Sequence, residues 1–237
     1  MRPPPLRSFP MPEPRDVIAV QRLLRGSQGP FVPKPSLPIV DELIATVLSQ
    51  HTSDRNSERA FADLKAAFPA WEQVLGAPAE AVADVIRSGG IADQKARRIQ
   101  RILAAIRDRE GRIDLGRLRG LDDAAVEEYL TSLPGVGPKT AACVLVFAMG
   151  RAAFPVDTHV HRVAVRLGWL PPRTTAAEAH QVLTPVVPPG IRYDLHLALI
   201  THGREVCKSQ RPRCGACVLR DRCVTGSEHS PAAAVRG

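Results

Sequence analysis

Apolar residues recur at intervals of three and four over most of this 237-residue chain, the period of helices that bury one face. Leu37, Val40, Leu43, Ile44, Val47 and Leu48 form one such stripe, and Phe61, Leu64 and Phe68 a second. Val82, Val85 and Ile86 mark another helix, stopped by Gly89-Gly90, because glycine accepts the left-handed backbone that closes a helix. Ile99, Ile102, Leu103 and Ile106 predict a longer helix ending at Gly111. Asp122 is placed to cap a helix carrying Val126, Tyr129 and Leu130. The next helix starts at Pro138, where proline suits the first helical position, and runs to Gly150. Beyond Pro155, Asp157 or Thr158 caps a helix carrying Val160, Val163, Ala164 and Leu167, with Gly168 at its end. Thr174 or Thr175 opens another through Val182, Leu183 and Val186, and a last helix runs from Arg192 to Val206 and delivers Cys207. No alternating pattern of useful length predicts a strand, and no internal repeat is visible. The expectation is an all-α protein of two helical lobes, divided near residue 150, where Gly150-Arg151-Ala152-Ala153-Phe154-Pro155 breaks the helical run.

Charge adds a partner to this picture. Lys and Arg total 32 against 24 Asp and Glu, a net charge of +8. A chain this basic suits a polyanion, with nucleic acid the commonest one, although an ordinary arginine-rich surface gives the same balance. Aromatic residues make up only 4% of the chain, which argues against a single-strand binder built on stacked rings. No apolar run approaches the roughly 18–20 residues of a membrane span, so no membrane is expected. Met1–Pro14, rich in proline and arginine, lacks the apolar core of a secretory signal and reads as a disordered tail. Cys143 lies in an apolar helical run as a simple core residue. The cysteine usage fits a reducing compartment, and the expected location is cytoplasmic, at the nucleoid.

Three features carry candidate chemistry. Cys207, Cys214, Cys217 and Cys223 fall within seventeen residues, spaced C-x6-C-x2-C-x5-C. A structural zinc site usually joins two C-x2-C-like pairs across a longer loop, and only one such pair is present. Four thiolates in one short segment are also what a [4Fe–4S] cluster needs. Second, Leu133-Pro134-Gly135-Val136-Gly137 between two helices has the layout of a helix–hairpin–helix. Its glycines permit a tight turn and uncover amides of Gly135, Val136, Gly137 and Lys139 near a helix start, where a DNA phosphate fits without any reading of the bases. A plain helix–helix turn would look the same. Third come Lys139 and Asp157. Lys139 is either a phosphate contact or an amine able to attack an anomeric carbon and form a Schiff base. Asp157 is either a helix cap or a carboxylate that stabilises positive charge developing on a sugar, and a capping carboxylate can do both.

In combination these segments resemble the endonuclease III family of DNA glycosylases. LPGVGPKTA (133–141), VDTHVHRV (156–163), HGREVC (202–207) and the four-cysteine loop carry the resemblance, joined by LSQHTSD (48–54) and GGIADQKARRI (89–99). It spans residues 15–225. The resemblance implies a helical barrel domain with the hairpin over 37–150 and a cluster domain over 151–225, flanking a DNA-binding cleft. Residues 15–36 would pack with the cluster domain, and 1–14 and 226–237 would be flexible tails. It further implies Lys139 as nucleophile, Asp157 as catalytic carboxylate and Cys207, Cys214, Cys217 and Cys223 as [4Fe–4S] ligands. DNA contacts would fall on Gly135, Val136, Gly137, Thr140, His159, His51 and Ile91, the last two filling the space of an everted nucleotide and wedging the opposite strand. His51 stands where relatives usually have glutamine, Ile91 where they have leucine, and Ala92-Asp93 where they often show Tyr and Asn or Arg.

The implied activity is a bifunctional glycosylase and AP lyase, acting as a monomer on oxidised pyrimidines and abasic sites in double-stranded DNA. Relatives that remove only the base generally lack a lysine at the position of Lys139. A monofunctional mismatch or uracil-type glycosylase and a non-catalytic DNA-binding or redox module are the alternatives.

Overall fold

The structure, a computed structural model, describes residues 11–33 and 36–228, so the expected tails lie mostly outside the described residues. Every regular element among the described residues is helical. None of these helices is long and apolar enough to cross a membrane. The chain divides into two compact units, one formed by residues 34–151 and the other by residues 1–33 together with 152–237.

The second of these units opens with α1 (Pro14–Gln28), a helix the apolar pattern did not single out, with Pro14 in its first turn. Its buried Val17, Val20 and Leu24 join Phe154, Val160, Val163, Leu195 and Leu199 in one apolar core, which is why the N-terminal segment folds with the C-terminal part of the chain. Asp194 fixes this arrangement, accepting hydrogen bonds from Gln21 Nε2 (2.5 Å) and the Phe31 amide (2.8 Å).

Residues 34–151 carry α2 (Ile39–Leu48), α3 (Asp54–Ala67), α4 (Trp71–Gly76), α5 (Ala79–Val85), α6 (Ala92–Glu110), α7 (Asp123–Thr131) and α8 (Pro138–Cys143). Ile39, Val40, Leu43, Ile44, Thr46, Val47 and Leu48 of α2 are all buried. A helix apolar around most of its circumference belongs at the centre of its unit, and α3, α6 and α8 pack around it. Asp122 caps α7 as expected, accepting from the Ala125 amide at 2.8 Å. The run from Pro138 to Gly150 is not one α-helix: after Cys143 it widens into a π-helical turn over Val144–Ala148. Gly150, at φ 66°, ends the run. Arg151 then anchors the exit by bonding Asp123 Oδ1 (2.8 Å) and the Arg119 carbonyl (3.0 Å).

The remaining elements are α9 (Thr158–Arg166), α10 (Ala176–Val186), α11 (Arg192–Glu205) and α12 (Val224–Glu228). Thr175, not Thr174, opens α10: its side chain and that of Glu178 cap one another's amides in a capping box. Cys143 is buried, as its apolar surroundings in the sequence implied.

Candidate nucleic-acid site

The hairpin between α7 and α8 is built on two apolar anchors, Leu133 and Val136, both buried. The Val136 amide closes the turn on the Leu133 carbonyl at 3.1 Å. This differs from the expectation that Val136 offers its N–H to a phosphate; a turn this tight needs that hydrogen bond for itself. Gly135 adopts φ 73°, and a β-carbon there would stand 2.8 Å from Arg98 Nε, so the position needs glycine for both backbone conformation and space. Gly137 precedes α8 in extended conformation. Lys139 lies in the first turn of α8 and is half-buried. Thr140, expected at the DNA, has a buried side chain whose hydroxyl accepts from Gln50 Nε2 at 3.3 Å.

His51 and Ile91 are brought together. They line one surface pocket with Lys95, Arg97, Arg98 and Arg101. Both have left-handed backbones, φ 55° and 42°. That conformation is uncommon for any non-glycine residue and a clear outlier for a β-branched one, and such strain clusters at functional positions. Ile91 is 49% exposed, an apolar side chain held out toward solvent. The link between the two loops is Lys95, which is buried and donates to the Leu48 carbonyl (2.7 Å) at the end of α2 and to the Gly89 carbonyl (2.8 Å). Burial lowers its amine to a pKa of about 8. The carbonyls it satisfies are those a helix end leaves without partners.

Asp157 caps α9. Its Oδ1 accepts from the amides of His159 (2.9 Å) and Val160 (2.7 Å), which fixes the carboxylate on a rigid helix start. His159 is half-buried, and burial lowers its pKa. Its Nδ1 lies 3.0 Å from Arg162 Nη2, a guanidinium nitrogen that can only donate. Arg162 also donates to the carbonyls of Gly203 (2.8 Å) and Cys207 (3.0 Å). Helices α9 and α11 approach closely at Gly203, where a β-carbon would stand 2.9 Å from His159 Cβ.

Cys207, Cys214, Cys217 and Cys223 line a common cavity with His202 and Arg166; with its mouth it encloses about 410 Å³. Among the described residues no three acidic, histidine or cysteine side chains converge on a point that a single metal ion could occupy. Tetrahedral zinc would draw four sulfurs to roughly 2.3 Å from one centre, whereas four cysteine thiolates are also the ligand set of a [4Fe–4S] cluster. N–H groups point at three of them: Arg166 Nη1 at Cys207 Sγ (3.3 Å), the Gly226 amide at Cys223 Sγ (3.3 Å) and the Leu219 amide at Cys217. Bonds of this kind stabilise thiolates bound to iron. Burial, reinforced by the neighbouring cysteines, pushes the Cys217 and Cys223 thiols up, so a bound cation would be needed to hold these two as thiolates. Four cysteines around one cavity are a donor set that fits a [4Fe–4S] cluster. Lys208, Arg211, Arg213 and Arg222 are exposed beside this loop.

Sequence reading passed over three residues of these sites: Gln50, Arg98 and Arg162.

An all-α chain with a glycine hairpin, a lysine on the helix that follows and a capping aspartate at the head of a later helix has the layout of helix–hairpin–helix DNA repair proteins. The chain belongs to the HhH-GPD superfamily of base excision DNA repair proteins, matched over residues 44–189, and within it is endonuclease III-like. It is 37% identical over 181 residues to endonuclease III of Thermotoga maritima, covering 76% of this chain and 80% of that one. It is 42% identical over 171 residues to a candidate DNA glycosylase of Arabidopsis thaliana, covering 72% of this chain but only 58% of the longer relative. Among solved structures, a trapped endonuclease III–DNA covalent intermediate superimposes with a TM-score of 0.79 at 29% identity, covering 92% of this chain and 99% of that one.

Proposed function

We propose that this protein is a bifunctional DNA glycosylase and AP lyase of base excision repair, removing oxidised pyrimidines from duplex DNA and cleaving the abasic site by β-elimination. The observation that carries this reading is Lys139: a half-buried amine in the first turn of the helix that follows the hairpin, in a chain whose structural counterpart is described as a covalent DNA intermediate. A primary amine that displaces a base from C1′ forms a Schiff base with the opened sugar. That linkage acidifies C2′, whose proton leaves, and the 3′ phosphate departs by β-elimination.

The other residues take roles that fit their settings. Asp157, rigid at its helix start, stabilises positive charge developing on the sugar. The Gly135 and Gly137 amides position backbone phosphates. His51 and Ile91, strained and adjacent, enter the duplex where a nucleotide has been everted. His159 acts through the Asp157 cap, and Thr140 through Gln50. Cys207, Cys214, Cys217 and Cys223 would hold a [4Fe–4S] cluster, which supplies a structural staple for the basic loop. The enzyme works as a monomer, in a reducing compartment, on damaged or abasic duplex DNA.

The test is a panel of duplexes carrying thymine glycol, uracil, a mismatched thymine or an abasic site, scored for strand breaks with and without alkali. Breaks at thymine glycol without alkali are expected. Breaks only after alkali, on mismatch or uracil substrates, would mark a monofunctional enzyme. Salt-dependent binding with no turnover on any lesion would mark a non-catalytic module.

A further inference from the structure

Two segments with unusual backbone are tied together by one side chain. His51 follows the end of α2 and Ile91 precedes α6, and both hold left-handed backbones without being glycine. Conformations of this kind persist only where their surroundings over-determine them. The segments touch at Gly90, which has φ 71°, and a β-carbon there would stand 3.9 Å from the His51 carbonyl. Gly89 is buried at the end of a 3₁₀ turn, Arg87–Gly89, where a β-carbon would meet Ala60 Cβ of α3 at 3.2 Å.

Lys95 supplies the rest of the constraint. It lies near the start of α6 and is 3% exposed. Its amide donates to the Ile91 carbonyl at 3.1 Å, which fixes its backbone to one segment. Its Nζ donates to the Leu48 carbonyl (2.7 Å), at the end of α2 just before His51, and to the Gly89 carbonyl (2.8 Å), just before Ile91. Two neutral carbonyls are weak compensation for a buried ammonium, and burial lowers its pKa to about 8. A methionine would fill the same space without that cost. What the ammonium adds is a fan of three N–H groups on one atom, able to hold both segments at once. Lys95 also lines the surface pocket with His51 and Ile91, so the bridge and the two side chains it spaces share one cavity.

We propose that Lys95 is a positioning residue for nucleotide eversion, holding the His51 and Ile91 segments in one register so that both side chains enter the duplex together. This rests on the reading of His51 and Ile91 as the residues that fill and wedge the opened duplex. Without the ammonium, the Leu48 and Gly89 carbonyls lose their shared donor, and each segment relaxes toward an ordinary backbone on its own. The bonds of Lys95 go to α2 and to the Gly89–Ile91 segment, away from the helix bearing Lys139. The covalent step on a sugar that is already accessible should therefore not depend on it.

The experiment reads eversion and chemistry separately on the full chain. A duplex with one abasic site opposite 2-aminopurine reports entry of the wedge as a rise in fluorescence. Single-turnover borohydride trapping at saturating protein is then scored on that duplex and on a single-stranded abasic oligonucleotide, which needs no wedge. Wild type is expected to give the rise and to trap both substrates. Lys95→Met should trap the duplex on the order of 10²-fold more slowly, lose most of the rise and trap the single strand at the wild-type rate. Gly89→Ala displaces the second acceptor and leaves the amine in place, so it should show the same split in weaker form. Adding Ala60→Gly removes the 3.2 Å contact and should restore wild-type behaviour; this pair decides the matter if Lys95→Met fails to fold. Equal losses on duplex and single strand overturn the positioning role, as does an undiminished rise in Lys95→Met, or in Gly89→Ala where Lys95→Met does not fold. His51→Gly and Ile91→Gly test the underlying reading. A full rise in both means that these residues do not enter the duplex, whereas a rise lost in them but kept in Lys95→Met removes only the role of the lysine.

Discussion

Replacing Lys139 by glutamine is expected to reduce borohydride trapping on abasic duplex by on the order of 10⁴-fold or more. The amide nitrogen of glutamine has no available lone pair, so the covalent step has nowhere to go, whereas the hairpin that presents it is untouched. Leu133 and Val136 stay buried and the Val136 amide still closes the turn. Duplex affinity should therefore change little. One cation is lost, so the slope of log affinity against log salt should flatten by at most about 0.9. The separation of the two effects is what identifies a nucleophile. A phosphate-contacting lysine would weaken binding and leave the trapped fraction at saturation unchanged. A Lys139→Gln chain that traps at the wild-type rate removes the residue from the chemistry.

Alanine at Cys217 is expected to bleach the protein and loosen the whole cysteine loop. The wild-type chain, isolated without oxygen, should be brown from sulfide-to-iron absorption and contain iron, not zinc. The loop over 207–223 has little regular structure of its own beyond two short 3₁₀ turns. Few of its side chains are buried; Leu219 reaches the core, and Cys207, Cys217 and Cys223 pack against it partly buried. With so little packing, the cluster proposed above would supply much of its order. Losing it should cost on the order of 4 kcal/mol, which in a chain of this size lowers Tm by roughly 8–16 °C. A colourless wild-type protein with stoichiometric zinc, or a Cys217→Ala variant with unchanged colour and melting, would contradict the assignment.

The helical frame was largely legible because it rests on local physics. Asp122, Asp157 and Gly150 act within a turn or two of their own positions, and a capping signal needs no tertiary contact to be read. The π-helical widening after Cys143 was not legible: it depends on how α8 and its continuation seat against α2 and α7, and helical periodicity alone does not distinguish it. Nor was α1, whose short apolar stripe follows a proline-rich start and acquires its core only from Phe154, Val160 and Leu195, more than 120 residues away. At the candidate site, the sequence singled out residues that lie in compact motifs, Lys139, Asp157 and the four cysteines. Those missed act across elements. Arg98 matters because Gly135 leaves room for it and Gln50 receives it. The same distinction explains Val136, whose amide the hairpin keeps for its own turn.

The most direct measurement is peptide mapping of the borohydride-reduced adduct formed with an abasic duplex. The expected result is a single modified peptide, with the sugar remnant on Nζ of Lys139. An adduct carried by another residue, or by the chain's terminal amine, would contradict the assignment of this lysine as the nucleophile, whatever the protein does to DNA.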